Sequence, residues 1–222
     1  MTRAAAALLL LLAACGKPAE EAACPHDPGF DRSGVIQVRA EHRPAVLRHD
    51  LGLAEIAREA AGSAGAGRAQ GLTVVDNQLA FRTLVNMETS RGRTCVWFDE
   101  VRVDLTPASV SLYVPREYAE DSCEYMAVLE HEREHESVHW ERLEAAAGEI
   151  ERALKDARWL PARGNPLETE DRASAEAALN AKLRKVVTPV YERYKEDLGR
   201  AQAELDRPDL YQWVAKRCGG WK

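Results

Sequence analysis

The chain predicts an α+β fold in which an antiparallel meander of three to four strands precedes two long antiparallel helices. Three observations predict it. Over residues 72–114 the apolar positions are β-branched or aromatic and partly alternate with polar ones, which is the period of a strand. Over residues 118–160 the apolar spacing becomes three and four, which is the period of a helix. After a break at 161–166 the helical spacing resumes and holds to about residue 205.

Taken in order, the chain begins with Arg3 and an apolar run at 4–14 that contains five consecutive leucines, a signal-peptide pattern over residues 1–14. A permanent membrane span needs about 20 apolar residues, so this run is too short to be one. Leu12-Ala13-Ala14-Cys15 is similar to the lipobox of bacterial lipoproteins. The resemblance implies cleavage before Cys15 and a lipid on its sulfur. Gly16, rather than an aspartate, follows the cysteine, which implies an outer-membrane anchor facing the periplasm. Residues 15–40 then read as the lipidated cysteine and a flexible tether rich in Pro, Gly, Ala and acid. Residues 41–222 are enough for one domain with a real core.

Within that domain a short helix is expected at 44–61, with Pro44 in its first turn and the glycines of 62–67 ending it. Strands are expected at 72–75, 79–86, 94–105 and 109–114, with turns at Arg91-Gly92 and Thr106-Pro107. Met126, Leu129, Trp140, Leu143, Ala147, Ile150 and Leu154 mark one stripe of the first long helix. Asn165-Pro166 reads as the cap and first turn of the second, which Pro189 is expected to kink or split. Two long helices joined by a short link pack antiparallel most naturally.

Composition narrows the partners. The formal charge is −6, and no basic stripe with interleaved aromatics occurs, which argues against nucleic acid. Four cysteines remain once Cys15 is set aside: Cys24, Cys95, Cys123 and Cys218. In an oxidising compartment an even count predicts two disulfides with three possible connectivities. The expected pairing is Cys95–Cys123, joining a strand to the first long helix, and Cys24–Cys218, joining the two ends.

The first long helix carries His131-Glu132-Arg133-Glu134-His135. Residues four apart lie one turn above each other, so His131 and His135 can present two imidazoles to one metal ion. Glu132, beside them, is positioned to move a proton at that metal, and zinc is the cofactor this spacing suggests. Glu132 and Glu136 fall at or within the apolar stripe, where an unused acid is costly. A catalytic zinc site needs a third protein ligand. His139 is nearest, but eight residues of helix span about 12 Å, which strains a shared reach. Asp206, Asp209, Tyr211 or a glutamate such as Glu168, Glu192 or Glu196 are the alternatives, and the sequence leaves the choice open.

A β-rich segment, a strand ending Leu112-Tyr113-Val114-Pro115, and then Val128-Leu129-Glu130-His131-Glu132-Arg133-Glu134-His135 together resemble a family of bacterial envelope proteins thought to be secreted zinc-dependent proteases. More broadly, His131, Glu132 and His135 are similar to the motif of the zincin metallopeptidases. Two positions depart from the family pattern: Glu134 stands where it carries Gly, and Tyr211 follows Asp206 where it carries a His. The resemblance implies a zincin-like layout, with zinc on His131 and His135 and Glu132 as general base and then proton donor. It also implies an extended substrate laid along an edge strand, for which residues 109–114 are the candidate.

The expected function is therefore a lipid-anchored zinc metallopeptidase that hydrolyses peptide bonds in periplasmic peptides or proteins. Two other classes compete with it. One is a non-catalytic envelope lipoprotein whose helices bind a partner, its histidines being structural. The other is a metal-dependent hydrolase of a different amide, such as a cell-wall crosslink.

Overall fold

A computed structural model describes Cys24 and residues 36–61, 69–90, 92–207, 212 and 216–219. The elements run β1 (Ile36–Ala40), β2 (Val46–Arg48), α1 (Leu53–Ala60), β3 (Leu72–Ser90), β4 (Arg93–Tyr113), α2 (Cys123–Asp156), β5 (Leu167–Thr169) and α3 (Arg172–Leu205). The five strands form one mixed sheet, and α2 and α3 cover one of its faces.

The α+β class holds, but the meander does not. The four short strands expected at 72–114 are two very long ones, joined at Gly92, whose φ of 80° suits a two-residue hairpin turn. Thr106-Pro107 is not a turn. β4 runs through it, with a register shift opposite Asp76 and Asn77. Pro107 sits at that bulge and between the stretches of β4 that pair with β1 and β2, where a missing N–H is tolerated. β1 and β2 then join β4 in parallel, at residues 101–105 and 111–113, and β5 joins it antiparallel at 94–96. Residues 36–48 had read as tether and helix, so these parallel partners were missed, and the zincin-like layout fails with the meander. The expected helix at 44–61 shrinks to α1 because Val46–Arg48 pairs with Ser111–Tyr113.

α2 starts where the Ser122 hydroxyl accepts from the Tyr125 N–H at 3.1 Å. α3 starts at Asp171, whose carboxylate accepts from the Ser174 N–H at 2.8 Å, and not at Asn165-Pro166. Those two residues belong to the turn bridged by Ala162 and Asn165. Pro189 does not divide α3. Val187, Val190 and Tyr194 around it are buried, and their burial outweighs the backbone bond that proline removes. The helices are antiparallel as expected: His131 meets Asp206, His135 meets Gln202, and Glu149 meets Arg193.

The core lies between sheet and helices. Val96, Val101, Val103 and Leu105 of β4 face Leu143, Ile150 and Leu154 of α2 and Leu179, Leu183 and Val187 of α3. Full burial stabilises each such side chain by about 1.5–3 kcal/mol. A smaller cluster of Leu112, Val114, Tyr125, Val128 and Leu129 packs the start of α2 onto the end of β4. Met126, assigned to the inward stripe, is instead 48% exposed.

Both disulfides differ from the expected pairing: they are Cys24–Cys95 and Cys123–Cys218. Cys95 opens β4, whereas the start of α2 packs against the other end of that strand, so Cys95 and Cys123 lie far apart. No helix among the described residues is long and apolar enough to cross a membrane. Cys15 and the signal segment lie outside the described residues.

Candidate metal centre

α2 is a regular helix through residues 131–135, so the two imidazoles lie one turn apart as the spacing requires, edge to face with ring centres 4.7 Å apart. Both are buried, at 7% exposure. Their Nε2 atoms lie 3.1 Å from each other. Asp206, the residue that caps α3, brings its Oδ1 to 3.1 Å from His135 Nε2 and 3.3 Å from His131 Nε2. Among the described residues this is the one group of three or more His, Cys, Asp or Glu side chains with ligand atoms close enough to share an ion.

The geometry tests whether zinc fits. Ligand atoms about 2.0–2.1 Å from a tetrahedral ion are about 3.3–3.4 Å apart, so the observed triangle matches one face of such a tetrahedron to within about 0.3 Å. Two imidazole nitrogens and one carboxylate oxygen are a donor set that zinc accepts, and among the described residues no fourth His, Cys, Asp or Glu joins them. The tautomer is right as well. Gln202 Nε2 donates to the carbonyl of His135 at 3.0 Å, which fixes the amide so that its Oε1 faces His135 Nδ1. Nδ1 must then donate to Gln202, leaving the Nε2 lone pair toward the ion.

Glu132 is 3% exposed. Thr73 of β3 places its hydroxyl 2.7 Å from Glu132 Oε2 and 3.0 Å from the Glu132 carbonyl. The other carboxylate oxygen lies over Gly71, where an added Cβ would come within 2.4 Å of Oε1 and 2.6 Å of Val128 Cγ1. A glycine here is a requirement of space. Burial pushes the Glu132 carboxyl above its ordinary value, against the pull of His135, the Thr73 hydroxyl and His131. Burial also acts to lower His135, but Asp206, Glu132 and Gln202 outweigh it and raise the imidazole. Asp206, pushed up by burial, is carried well below the usual carboxylate range by the two histidines.

Of the sequence candidates for third ligand, the structure brings Asp206 to the histidine pair. His139 is not part of the cluster. It is 1% exposed, packs edge-on against Trp140 with ring centres 5.0 Å apart, and its Nε2 has no hydrogen-bond partner. Burial and the neighbouring His42 lower it to about 4. Glu168 pairs with Arg93 and Glu192 with Lys195, both away from the cluster, and Glu196 is exposed. Asp209 and Tyr211 lie outside the described residues. Glu136, expected to be paired or used, is half-buried and accepts from the Trp140 indole at 3.4 Å.

Residues 109–114 cannot take a substrate strand. β4 is interior there, with β2 on one edge and β3 on the other. Among the described residues no strand pairs with the outer edge of β3, the strand that carries Thr73. Sequence reasoning missed Thr73, Gly71 and Gln202. Only Gln202 left a trace: it lies one turn before Asp206 on the same helical face, as His131 lies one turn before His135. Comparison of the chain with protein-family models, with curated proteins and with solved structures returned no match.

Proposed function

We propose that this chain is a zinc-dependent metallopeptidase of the bacterial envelope, with zinc on His131, His135 and Asp206 and a lipid anchor at Cys15. The observation that carries the reading is the ligand triangle, 3.1–3.3 Å on each side, on the same helix turn as a buried glutamate held by Thr73. Zinc there supplies Lewis acidity toward a carbonyl oxygen and toward water. Glu132 takes a proton from water on Oε1, the oxygen that Thr73 does not engage, and passes it to the leaving amine. Thr73 and Gly71 hold that carboxylate in one position. The outer edge of β3, which no strand among the described residues pairs, runs beside Glu132 and suits an extended peptide added as a further strand. The lipobox and the four paired cysteines support an oxidising, membrane-tethered location.

The test is metal analysis and peptide hydrolysis with five variants. Wild type is expected to hold one zinc per chain, and His131→Ala, His135→Ala and Asp206→Ala to lose it. Glu132→Gln should keep zinc and lose about 10²–10⁴ in rate. Glu134→Gln, on the exposed face, serves as the silent control. Wild type that retains no zinc after equilibration with it ends the reading in favour of a non-catalytic binder.

A further inference from the structure

We propose that the face formed by Trp159, Lys182 and Lys185 docks on an anionic bilayer surface and turns the metal centre away from the membrane. The inference rests on the lipid anchor at Cys15 and not on the hydrolase reading. Trp159 follows α2 and is 44% exposed, unusual for the largest apolar side chain. The Nζ atoms of Lys182 and Lys185 lie 5.6 Å and 5.7 Å from its ring centre. Among the described residues neither lysine makes an ion pair. An indole with two ammonium groups beside it joins an amphipathic ring to positive charge, the combination that seats in a headgroup layer.

Charge favours the same occupant. Residues 157–185 carry six basic side chains (Arg158, Arg163, Arg172, Lys182, Arg184, Lys185) against four acidic ones (Glu168, Glu170, Asp171, Glu176), a balance of +2 in a chain of −6. Of the acids, Glu168 is paired with Arg93 and Glu176 with Arg172, while Asp171 caps α3. A basic segment in an acidic chain favours an anionic partner at that place.

The position of the tether completes the argument. Cys24 is bonded to Cys95 at the start of β4. Cys95 pairs with Glu168, and the Phe98 N–H donates to the Pro161 carbonyl at 3.2 Å, two residues from Trp159. Cys15 and Cys24 are nine positions apart, a reach of about 30 Å at full extension. A lipid on Cys15 therefore keeps this part of the molecule near the bilayer. The metal centre is remote from it: from His135 to the end of α2 at Asp156 is about 30 Å of helix. The Cys24–Cys95 bond thus ties the anchor to a part of the domain remote from the proposed ligands.

The test uses the full mature chain with Cys15→Ser, which removes the lipid and leaves the folded domain intact. It is sedimented with vesicles of phosphatidylcholine mixed with phosphatidylglycerol, and with phosphatidylcholine alone. Binding to the mixed vesicles, weakened by salt, is expected. One basic residue at an anionic surface strengthens binding about fivefold, so Lys182→Glu with Lys185→Glu should weaken it by about twentyfold or more. Trp159→Ala should weaken it as well, with circular dichroism and the thermal midpoint unchanged in both as the check on folding. Absence of binding, equal binding to neutral vesicles, or no effect of the lysine changes overturns the proposal. So does capture by isolated cell wall in place of vesicles. Failure of the anchor itself is read separately, as wild-type protein whose mass carries no acyl chains.

Discussion

Replacing Gln202 with leucine tests the proposed metal centre at a residue outside the ligand triangle. Gln202 makes two bonds to one residue: Oε1 accepts from His135 Nδ1, and Nε2 donates to the His135 carbonyl at 3.0 Å. Leucine keeps the volume and the helix propensity of α3 and removes both bonds. His135 Nδ1 is then left without its partner in a buried site, and the imidazole is free to take the tautomer that turns an N–H toward the ion. Losing the outer partner of a metal-bound histidine typically costs 10–100-fold in affinity, or about 1.4–2.7 kcal/mol. Chelator competition should show that weakening in Gln202→Leu. The metal-free protein should lose about 1 kcal/mol, because Gln202 is only half-buried. Gln202→Glu keeps an acceptor at Nδ1 and should recover most of the zinc affinity. A purely structural role would weaken both variants alike, and equal zinc affinity in all three proteins would refute the reasoning.

Other consequences follow from neighbouring contacts. Gly71→Ala puts a methyl 2.4 Å from Glu132 Oε1, so the carboxylate must move by about 1 Å. Peptide hydrolysis is expected to fall by about 10²-fold with zinc content unchanged, and loss of zinc instead would count against the assigned roles. His139, lowered to about 4 by burial and by His42, should make the fold acid-sensitive. Below its unfolded value near 6.5 the unfolded chain takes a proton that the folded chain refuses, so stability falls with pH by about 3 kcal/mol in all by pH 4. Denaturant titrations from pH 7 to pH 4 should show this slope flattened in His139→Leu, with zinc binding at pH 7 unchanged. Peptide mapping should find Cys24 joined to Cys95 and Cys123 to Cys218, with no free thiol among the four, and removing either bridge should cost about 2–5 kcal/mol.

What could be read beforehand was local in sequence. His131 and His135 are one helical turn apart, and Glu132 is tied to them by the same helix, so period and spacing suffice. The candidate third ligand depends on how α3 docks on α2, since Asp206 is 75 residues from His131, and the chain offered several acids of equal standing. The long hairpin was cut at Pro107 because proline usually ends a strand, and only the gap between β1 and β2 explains why it does not here. β1 and β2 are short, and their pairing with β4 is non-local, so neither could be recognised as a parallel partner. The disulfides failed for a related reason: β4 is long enough to hold Cys95 at one end of the sheet while α2 begins at the other.

Asp206 also explains why the proposed cation site lies at this point rather than elsewhere along two 34-residue helices. It caps the C-terminus of α3, where unpaired carbonyls carry about half a negative charge. Mid-helix, a carboxylate facing two imidazoles would bring only its own charge. At the C-cap the helix end adds to it, so the potential at the two Nε2 atoms favours a cation before any ligand bond forms. The ends of two antiparallel helices would ordinarily fray. Here the Gln202–His135 pair of bonds holds α3 one turn before the cap. Beyond it, the Cys123–Cys218 bond and the Arg217–Glu130 ion pair return the chain to the first turns of α2. Asp206 is thus held from both sides along the chain, by the Gln202–His135 bonds before it and by the Cys123–Cys218 bond after it.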